Sequence, residues 1–189
     1  MKRSKAQTRE RILDAAYGLF WRQGFLRVSL DEIAARAGVT KRALYQHFRS
    51  KDDLMAATLA HSSRLAIARL QGFPRSPRSD QLLDTFFADL AAWASTPRWS
   101  GGGFTRVAVE LADQRGHPAR AIARKHKAAV EDWLTDALAV AKVPSARDRA
   151  CEVMLLMEGA MALMLIHGDR RYAAVAAKAA QTLVRRRSR

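Results

Sequence analysis

Two helix-start signals separated by a short glycine-centred connection constrain this chain more than any other feature of its sequence. The run from Ser29 to Glu32 is a capping box with an acidic first turn, and the apolar residues after it follow a helical spacing. Gly38 is expected to break that helix, and Thr40 to cap a further one that begins at Lys41. Residues 29–48 therefore predict two short helices joined by a tight turn.

A longer helix is predicted on each side of this pair. The first covers residues 5–23, because Ser4 and Gln7 form a capping box at its start and Gly24 supplies its stop. Its apolar side chains recur at the spacing of one buried face: Ile12, Ala15, Ala16, Leu19 and Phe20. The next helix begins after its cap, Ser50, and runs to about residue 70.

Helical periodicity continues through the rest of the chain, and residues with high helix propensity dominate it. After a linker rich in Gly, Pro and Ser at 71–79, further helices are predicted over residues 80–95, 103–113, 118–142, 146–167 and 171–186. The sequence thus predicts an all-α protein of about nine helices. We expect a three-helix helix-turn-helix domain over residues 1–50 and a second helical domain over 51–189.

The charge of the chain is strongly positive and unevenly distributed. Lys and Arg number 33 against 18 Asp and Glu, a net charge of +15 with a pI near 11.1. A polyanion is the partner that such a charge suits, although a membrane surface, RNA or a merely solubilising surface would fit the same total. Eleven of these cations and only four acids lie in the first fifty residues, a local excess of +7 around the paired helices.

The third helix has one apolar and one polar face. Leu44 and Phe48 stand four residues apart and can anchor it to a core. The other side presents Lys41, Arg42, Tyr45 and Gln46. In a helix-turn-helix unit the second helix lies in the DNA major groove, where such side chains reach base edges and phosphates. Residues 29–48 are therefore predicted to read DNA.

The same segments resemble the tetracycline-repressor (TetR) family. The resemblance rests on Gly24-Phe25, on the runs Ser29 to Ala34, Ala37 to Lys41 and Leu44 to Phe48, and on Ser50-Lys51. It covers roughly the first 55 residues and is specific, because several spacings agree together. It implies a sequence-specific, homodimeric transcription regulator of double-stranded DNA, most often a repressor released from a palindromic operator by a small molecule. The C-terminal half of the family varies so widely that no effector is implied.

The resemblance also implies roles for individual residues. Backbone phosphates would be held by Ser29, Thr40, Tyr45, His47 and Lys51. Bases would be read by Lys41, Arg42, Ala43 and Gln46, since Arg or Lys suits guanine, Gln suits adenine and Ala can touch a thymine methyl group. The alternatives are that the cations are ordinary solvated charges, that Ser29 is only a helix cap, and that Tyr45 packs its ring in the core.

The last two helices are the predicted dimer interface. Small residues at Gly159, Ala160 and Ala162 permit close helix approach, and two such helices from each subunit would form a four-helix bundle. The alternative is that both helices belong to the core within one chain. We call the helix that begins at Lys41 the reader helix. A two-fold dimer would present its two reader helices about 34 Å apart, which is one turn of DNA.

Large aromatic and methionine side chains in the second domain suggest an apolar ligand pocket. The candidates are Phe86, Phe87, Trp93, Phe104, Trp133, Met157 and Met161, with Arg106, Glu110, His126 and Glu158 as polar contacts. Plain core packing is the alternative for each aromatic residue. Ligand binding there would favour a conformation whose fourth helix carries the reader helices away from groove spacing.

Other classes of protein fit the sequence less well. The five histidines show no metal-ligand spacing and no catalytic motif is present, so neither an enzyme nor a metal or cofactor is expected. The single Cys151 cannot form an intrachain disulfide and is predicted to be buried. No secretory signal opens the chain, and Met154–Ile166 is too short to span a bilayer, so a cytoplasmic location without membrane attachment is expected. Non-specific nucleic-acid binding, helped by the basic tail 185–189, is the second reading.

Overall fold

The computed structural model describes residues 4–74, 76–97 and 99–185, which form helices joined by turns and loops and contain no strand. In chain order the helices are α1 (Lys5–Gln23), α2 (Leu30–Ala37), α3 (Lys41–Tyr45), α4 (Lys51–Gln71), α5 (Ser79–Ala94), α6 (Gly103–Glu110), α7 (Pro118–Val140), α8 (Ala146–His167) and α9 (Arg171–Arg185). The predicted all-α fold is confirmed. The basic tail beyond Arg185 lies outside the described residues.

Local capping signals determine where the early helices begin and end. The Ser4 hydroxyl accepts a hydrogen bond from the Gln7 amide at 3.2 Å, and the Gln7 side chain accepts one from the Ser4 amide at 3.0 Å. Gly24 ends α1 at a φ of +100°, a conformation that glycine adopts without steric cost. Ser50 accepts from the Asp53 amide at 3.1 Å and so caps α4. These predicted caps are confirmed.

The chain divides into two compact units. The first unit consists of Met1–Ala66 and Gly103–His126, and the second of Ile67–Gly102 and Lys127–Arg189. This division differs from the predicted boundary at residue 50, because α6 and the start of α7 contribute Phe104, Val107 and Ala123 to the same core as α1. The assignment of residues 1–50 as the DNA-binding domain is a functional one and stays a prediction.

Each unit has its own apolar core. In the first unit the fully buried side chains include Phe20, Phe25 and Phe48, and α1 packs against α2. In the second unit α9 packs against both α5 and α8, around a core that includes Leu83 and Phe87. These cores supply the burial that an amphipathic helix needs to be stable.

Helix α8 is apolar on nearly all sides. Among the described helices it is the one whose length and composition would suffice to cross a membrane, a property that core helices of soluble proteins share. Its buried residues are Ala150, Val153, Met154, Met157, Ala160, Met161 and Met164. The prediction of a buried helix is therefore right for one face only. Cys151 is exposed, so the prediction of a buried thiol was wrong.

Candidate nucleic-acid interface

Helices α2 and α3 form the predicted helix-turn-helix pair. The Ser29 hydroxyl accepts from the Glu32 amide at 3.2 Å, and the Glu32 carboxylate accepts from the Ser29 amide at 2.7 Å. The Ser29 amide and the Ser29 hydroxyl both donate to this carboxylate, and these two bonds lower the pKa of Glu32. Gly38 then adopts a left-handed conformation, and the Thr40 hydroxyl accepts from the Ala43 amide at 3.1 Å. Three residues, 38–40, thus connect the two helices.

The apolar face of α3 is anchored as predicted. Leu44 and Phe48 are both buried in the core of the first unit. The α-helix ends earlier than expected, at Tyr45, and a tighter turn continues it because the His47 amide donates to the Leu44 carbonyl at 2.9 Å. The Tyr45 side chain is 48% exposed, so its ring is not packed in the core.

The polar face of α3 points to solvent. Lys41 donates to Asp31 at 3.0 Å, and this bond, with the charge of Asp31, raises the pKa of Lys41. Both side chains are exposed, so the ion pair is weak and exchangeable. Arg42 and Gln46 are exposed too, and their side chains make no hydrogen bond or ion pair with any part of the chain that the structure describes. Donors for a groove are therefore available on this face.

The residues expected at phosphates differ in how they are engaged. The Ser29 hydroxyl donates to Glu32 at 2.9 Å, and Thr40 uses its oxygen to cap α3. Lys51 donates to the Leu26 carbonyl at 2.7 Å, and its partial burial lowers its pKa. Their phosphate contacts stay predictions, because each side chain also has a structural partner within the first unit.

Sequence reasoning missed two cations beside His47. Burial lowers the pKa of His47, and the charges of Lys5 and Arg9 lower it further. The guanidinium carbon of Arg9 lies 5.3 Å from the centroid of the Phe48 ring. The available signal was the spacing of Lys5 and Arg9, which stand four residues apart on the side of α1 that faces solvent.

The corner between α1 and α2 is held by residues that were predicted to contact a ligand. The Glu110 carboxylate accepts from the Phe25 amide at 2.8 Å and from the Leu26 amide at 3.0 Å. Arg106 donates to the same carboxylate at 2.7 Å. A side chain at Gly24 would bring its Cβ within 2.9 Å of Glu110, so glycine permits this close approach. The contacts give Arg106 and Glu110 a structural role in the first unit.

The eleven residues predicted for the pocket fall in both units. Phe104, Arg106, Glu110 and His126 belong to the first unit, where the Phe104 ring stacks on the His126 ring with centroids 3.7 Å apart. The other seven belong to the second unit: Phe86, Phe87, Trp93, Trp133, Met157, Glu158 and Met161.

Within the second unit several of these side chains meet each other. The Phe86 ring stacks on Trp133 with centroids 5.8 Å apart and meets Phe87 edge to face at 5.3 Å. Trp93 lies edge to face with Trp99, and Glu158 forms an ion pair with Lys127. Such contacts suit core packing as well as pocket walls, so the pocket assignment stays a prediction.

One face of α8 is apolar and exposed. Leu155 and Ile166 are 70% and 71% exposed, and both lie on the helical stripe that contains Gly159 and Ala162. A Cβ added at Gly159 would have nothing within 4 Å. Val175, on the neighbouring helix α9, is exposed as well. Contiguous exposed apolar surface of this kind marks an interaction site.

Helix α3 packs its apolar face into the core and exposes its cations to solvent. A capped helix and a glycine turn precede it. This arrangement defines a helix-turn-helix protein of the DNA-binding class. Comparison with known proteins agrees. The family model "Bacterial regulatory proteins, tetR family" matches residues 12–58. Over this region the chain is similar to the TetR family of transcriptional regulators.

Individual relatives show how far the likeness extends. The HTH-type transcriptional regulator SrpR of Pseudomonas putida is 48% identical over 54 residues, which are 29% of this chain and 25% of that protein. AcrR of Shigella flexneri, also an HTH-type transcriptional regulator, is 49% identical over 55 residues, 29% of this chain and 26% of its own. The match thus spans about a quarter of the length of these relatives. A solved TetR-family transcriptional regulator from Streptomyces coelicolor is 25% identical with a TM-score of 0.82, covering 95% of each chain.

Proposed function

We propose that the chain is a homodimeric regulator that binds a palindromic DNA operator, represses transcription there and is released by a small-molecule ligand. The observation that carries the proposal is the division of α3 into a buried face, with Leu44 and Phe48, and an exposed cationic face. A helix anchored in this way can enter the major groove without losing its position on the domain. The match of residues 12–58 to the TetR family model supports the same conclusion.

The protein makes two kinds of contact with the DNA duplex. Bases are read by Lys41, Arg42, Ala43 and Gln46, and phosphates are held by Ser29, Thr40, Tyr45, His47 and Lys51. The exposure of Arg42 and Gln46 supports their role, since neither side chain has to leave a buried site. Phosphate contacts set the register of the protein on the duplex, and base contacts set the sequence.

Selection of bound duplexes from random DNA at physiological salt tests the proposal. We expect a two-fold symmetric motif whose half-sites lie about one DNA turn, roughly 34 Å, apart. The Arg42→Ala variant should lose preference at one base pair in each half-site, at a cost of about 1–3 kcal/mol, and keep the half-site spacing. Arg124→Ala removes the same charge from an exposed site on α7, outside α3 and outside the proposed dimer helices, and serves as the matched control.

Two outcomes of this selection contradict the proposal in different ways. Enrichment of no motif at all would favour the alternative, a non-specific nucleic-acid-binding protein. If Arg42→Ala selects the same motif as the wild-type protein, Arg42 does not read a base. The other parts of the proposal would be unaffected by that result.

The proposed dimer forms through α8 and α9. Its support is the exposed apolar stripe on α8, where Gly159 and Ala162 let a second helix approach closely. Pairing α8 and α9 with their copies in a second subunit gives a four-helix bundle and covers this stripe. The two-fold axis of the bundle then relates the two reader helices.

Release by a ligand is proposed to act on the second unit. The support is the aromatic group around Trp133, which meets Phe86 on one side and Phe73, at 5.7 Å, on another. Helix α4 begins in the first unit and ends in the second, so it joins both units covalently. A ligand that favours one conformation of the second unit would therefore alter the placement of the reader helices.

Tryptophan fluorescence identifies ligands for this test. A compound that quenches the fluorescence of the wild-type protein but not that of Trp133→Phe binds at the aromatic group around Trp133. We expect such a compound to lower operator affinity as its concentration rises. Trp21→Phe, in the first unit, is the matched control and should keep the quenching. A compound that passes this criterion and leaves operator affinity unchanged would defeat ligand release.

The relatives are named as transcriptional regulators, and we propose that this chain likewise acts as a regulator rather than as an enzyme, without a cofactor. We propose that it acts in the cytoplasm, the compartment that contains the operator DNA. Fractionation of cells tests the location, because α8 has a composition that membrane helices share.

A further inference from the structure

The ring of Phe48 brings together side chains from two helices. Arg9, on α1, lies over the ring at 5.3 Å from its centroid, and the His47 ring lies 6.3 Å from the same centroid. Phe48 is buried, so its position is fixed by the core of the first unit. Lys5 stands one helical turn before Arg9 and is exposed. Arg9 and His47 therefore both lie beside Phe48 at the end of α3, and Lys5 stands one turn from Arg9 on α1.

These groups repel one another when the imidazole is charged. Burial is the first cause that lowers the pKa of His47, and the charges of Lys5 and Arg9 are the next. The lowered pKa means that the imidazole holds a proton less readily in the free protein than an ordinary histidine does. An anion among the three groups would reverse this balance, because it attracts both cations and stabilises the protonated ring.

We propose that Lys5, Arg9 and His47 together bind one backbone phosphate of the DNA duplex, and that His47 takes up a proton from solvent when the phosphate is bound. This inference rests on the proposed function. The position supports a phosphate rather than a base, since His47 follows α3 directly and would flank the groove that α3 enters. Double-stranded DNA offers about one negative charge per 1.7 Å along its axis, so a cationic cluster beside the groove can meet a phosphate.

Proton uptake sets the sign of the pH dependence. The pKa of His47 is low in the free protein and higher in the complex, so the complex holds more protons between these two values. Operator affinity should therefore rise as the pH falls through the pKa of the complex, by up to about tenfold per pH unit, and level off below the pKa of the free protein. Above the pKa of the complex the affinity should not respond to this group.

The experiment measures binding of the selected duplex, by fluorescence anisotropy, from about pH 5.5 to 8 at fixed salt. The wild-type protein should gain affinity towards low pH, and His47→Gln should lose most of that gain. His61→Gln is the matched control, because His61 is also a partly exposed histidine near an arginine, with Arg64 at 3.4 Å. This control should keep the wild-type pH dependence.

Two further measurements keep the inference independent of how well His47→Gln folds. Nuclear magnetic resonance titration of the wild-type imidazole should give a higher pKa for His47 with the duplex than without it. Replacing both Lys5 and Arg9 with Gln should reduce the slope of log affinity against log salt by about 0.9, the change expected for the loss of one phosphate contact.

Several outcomes would overturn the inference. One is a His47→Gln protein that keeps the wild-type pH dependence. Another is an imidazole whose pKa the duplex does not raise, and a third is an unchanged salt slope in the double variant Lys5→Gln, Arg9→Gln. If one of these results is obtained while the protein still binds its selected duplex specifically, the proposed function is left intact. If the protein binds no duplex, both the inference and the proposed function are overturned.

Discussion

Replacing Gly103 with alanine should destabilise the first unit by about 2–3 kcal/mol, because overpacking a filled core costs up to that amount. A Cβ at this position would overlap the indole ring of Trp21. That ring cannot yield easily, since it lies 4.4 Å from Tyr17, 5.2 Å from Phe25 and 6.0 Å from Phe104, measured between ring centroids. Glycine at the start of α6 therefore allows the indole to fill the core.

Urea unfolding followed by circular dichroism measures this loss, and Gly18→Ala is its matched control. Gly18 lies inside α1 in the same unit, and nothing stands within 4 Å of a Cβ built there. Alanine at this helix-interior position should stabilise the protein by about 0.5–1 kcal/mol. Equal stability of Gly103→Ala and the wild-type protein would mean that Trp21 has room to move, contrary to the packing described above.

The sequence predicted the early helices well because their signals are local. A capping box such as that of Ser29 and Glu32 involves residues three apart, and a stop such as Gly24 requires only one backbone conformation. The hydrophobic spacing of α1 selected its buried face correctly, since its polar and apolar residues are clearly separated.

Contacts between distant parts of the chain could not be predicted from local sequence patterns. Glu110 accepts from the amides of Phe25 and Leu26, which lie 85 and 84 residues away, and no local pattern indicates such a partner. Its charge suggested a ligand contact, whereas its hydrogen bonds hold the corner before α2. On α8 apolar residues occur all round the helix, so periodicity could not show that Cys151 and Leu155 lie on the exposed face.

The exposed stripe of α8 leads to the prediction with the largest effect on DNA binding. Leu155→Glu is expected to convert the proposed dimer into monomers, because two-fold symmetry places the new charge in the interface twice. Burying each uncompensated carboxylate costs several kcal/mol. A monomer holds only one half-site, so operator affinity should fall by more than about 100-fold, and sedimentation equilibrium should report the loss of the dimer.

Val109→Glu provides the comparison that separates an interface from a general effect of charge. Val109 is 70% exposed, the same fraction as Leu155, but it belongs to the first unit, whereas the stripe on α8 belongs to the second. Its substitution should leave both the molecular mass in solution and the spacing of the selected half-sites unchanged. If the Leu155→Glu protein stays dimeric, the subunits do not contact each other through this face of α8. The exposed apolar residues on that helix would then need a different partner.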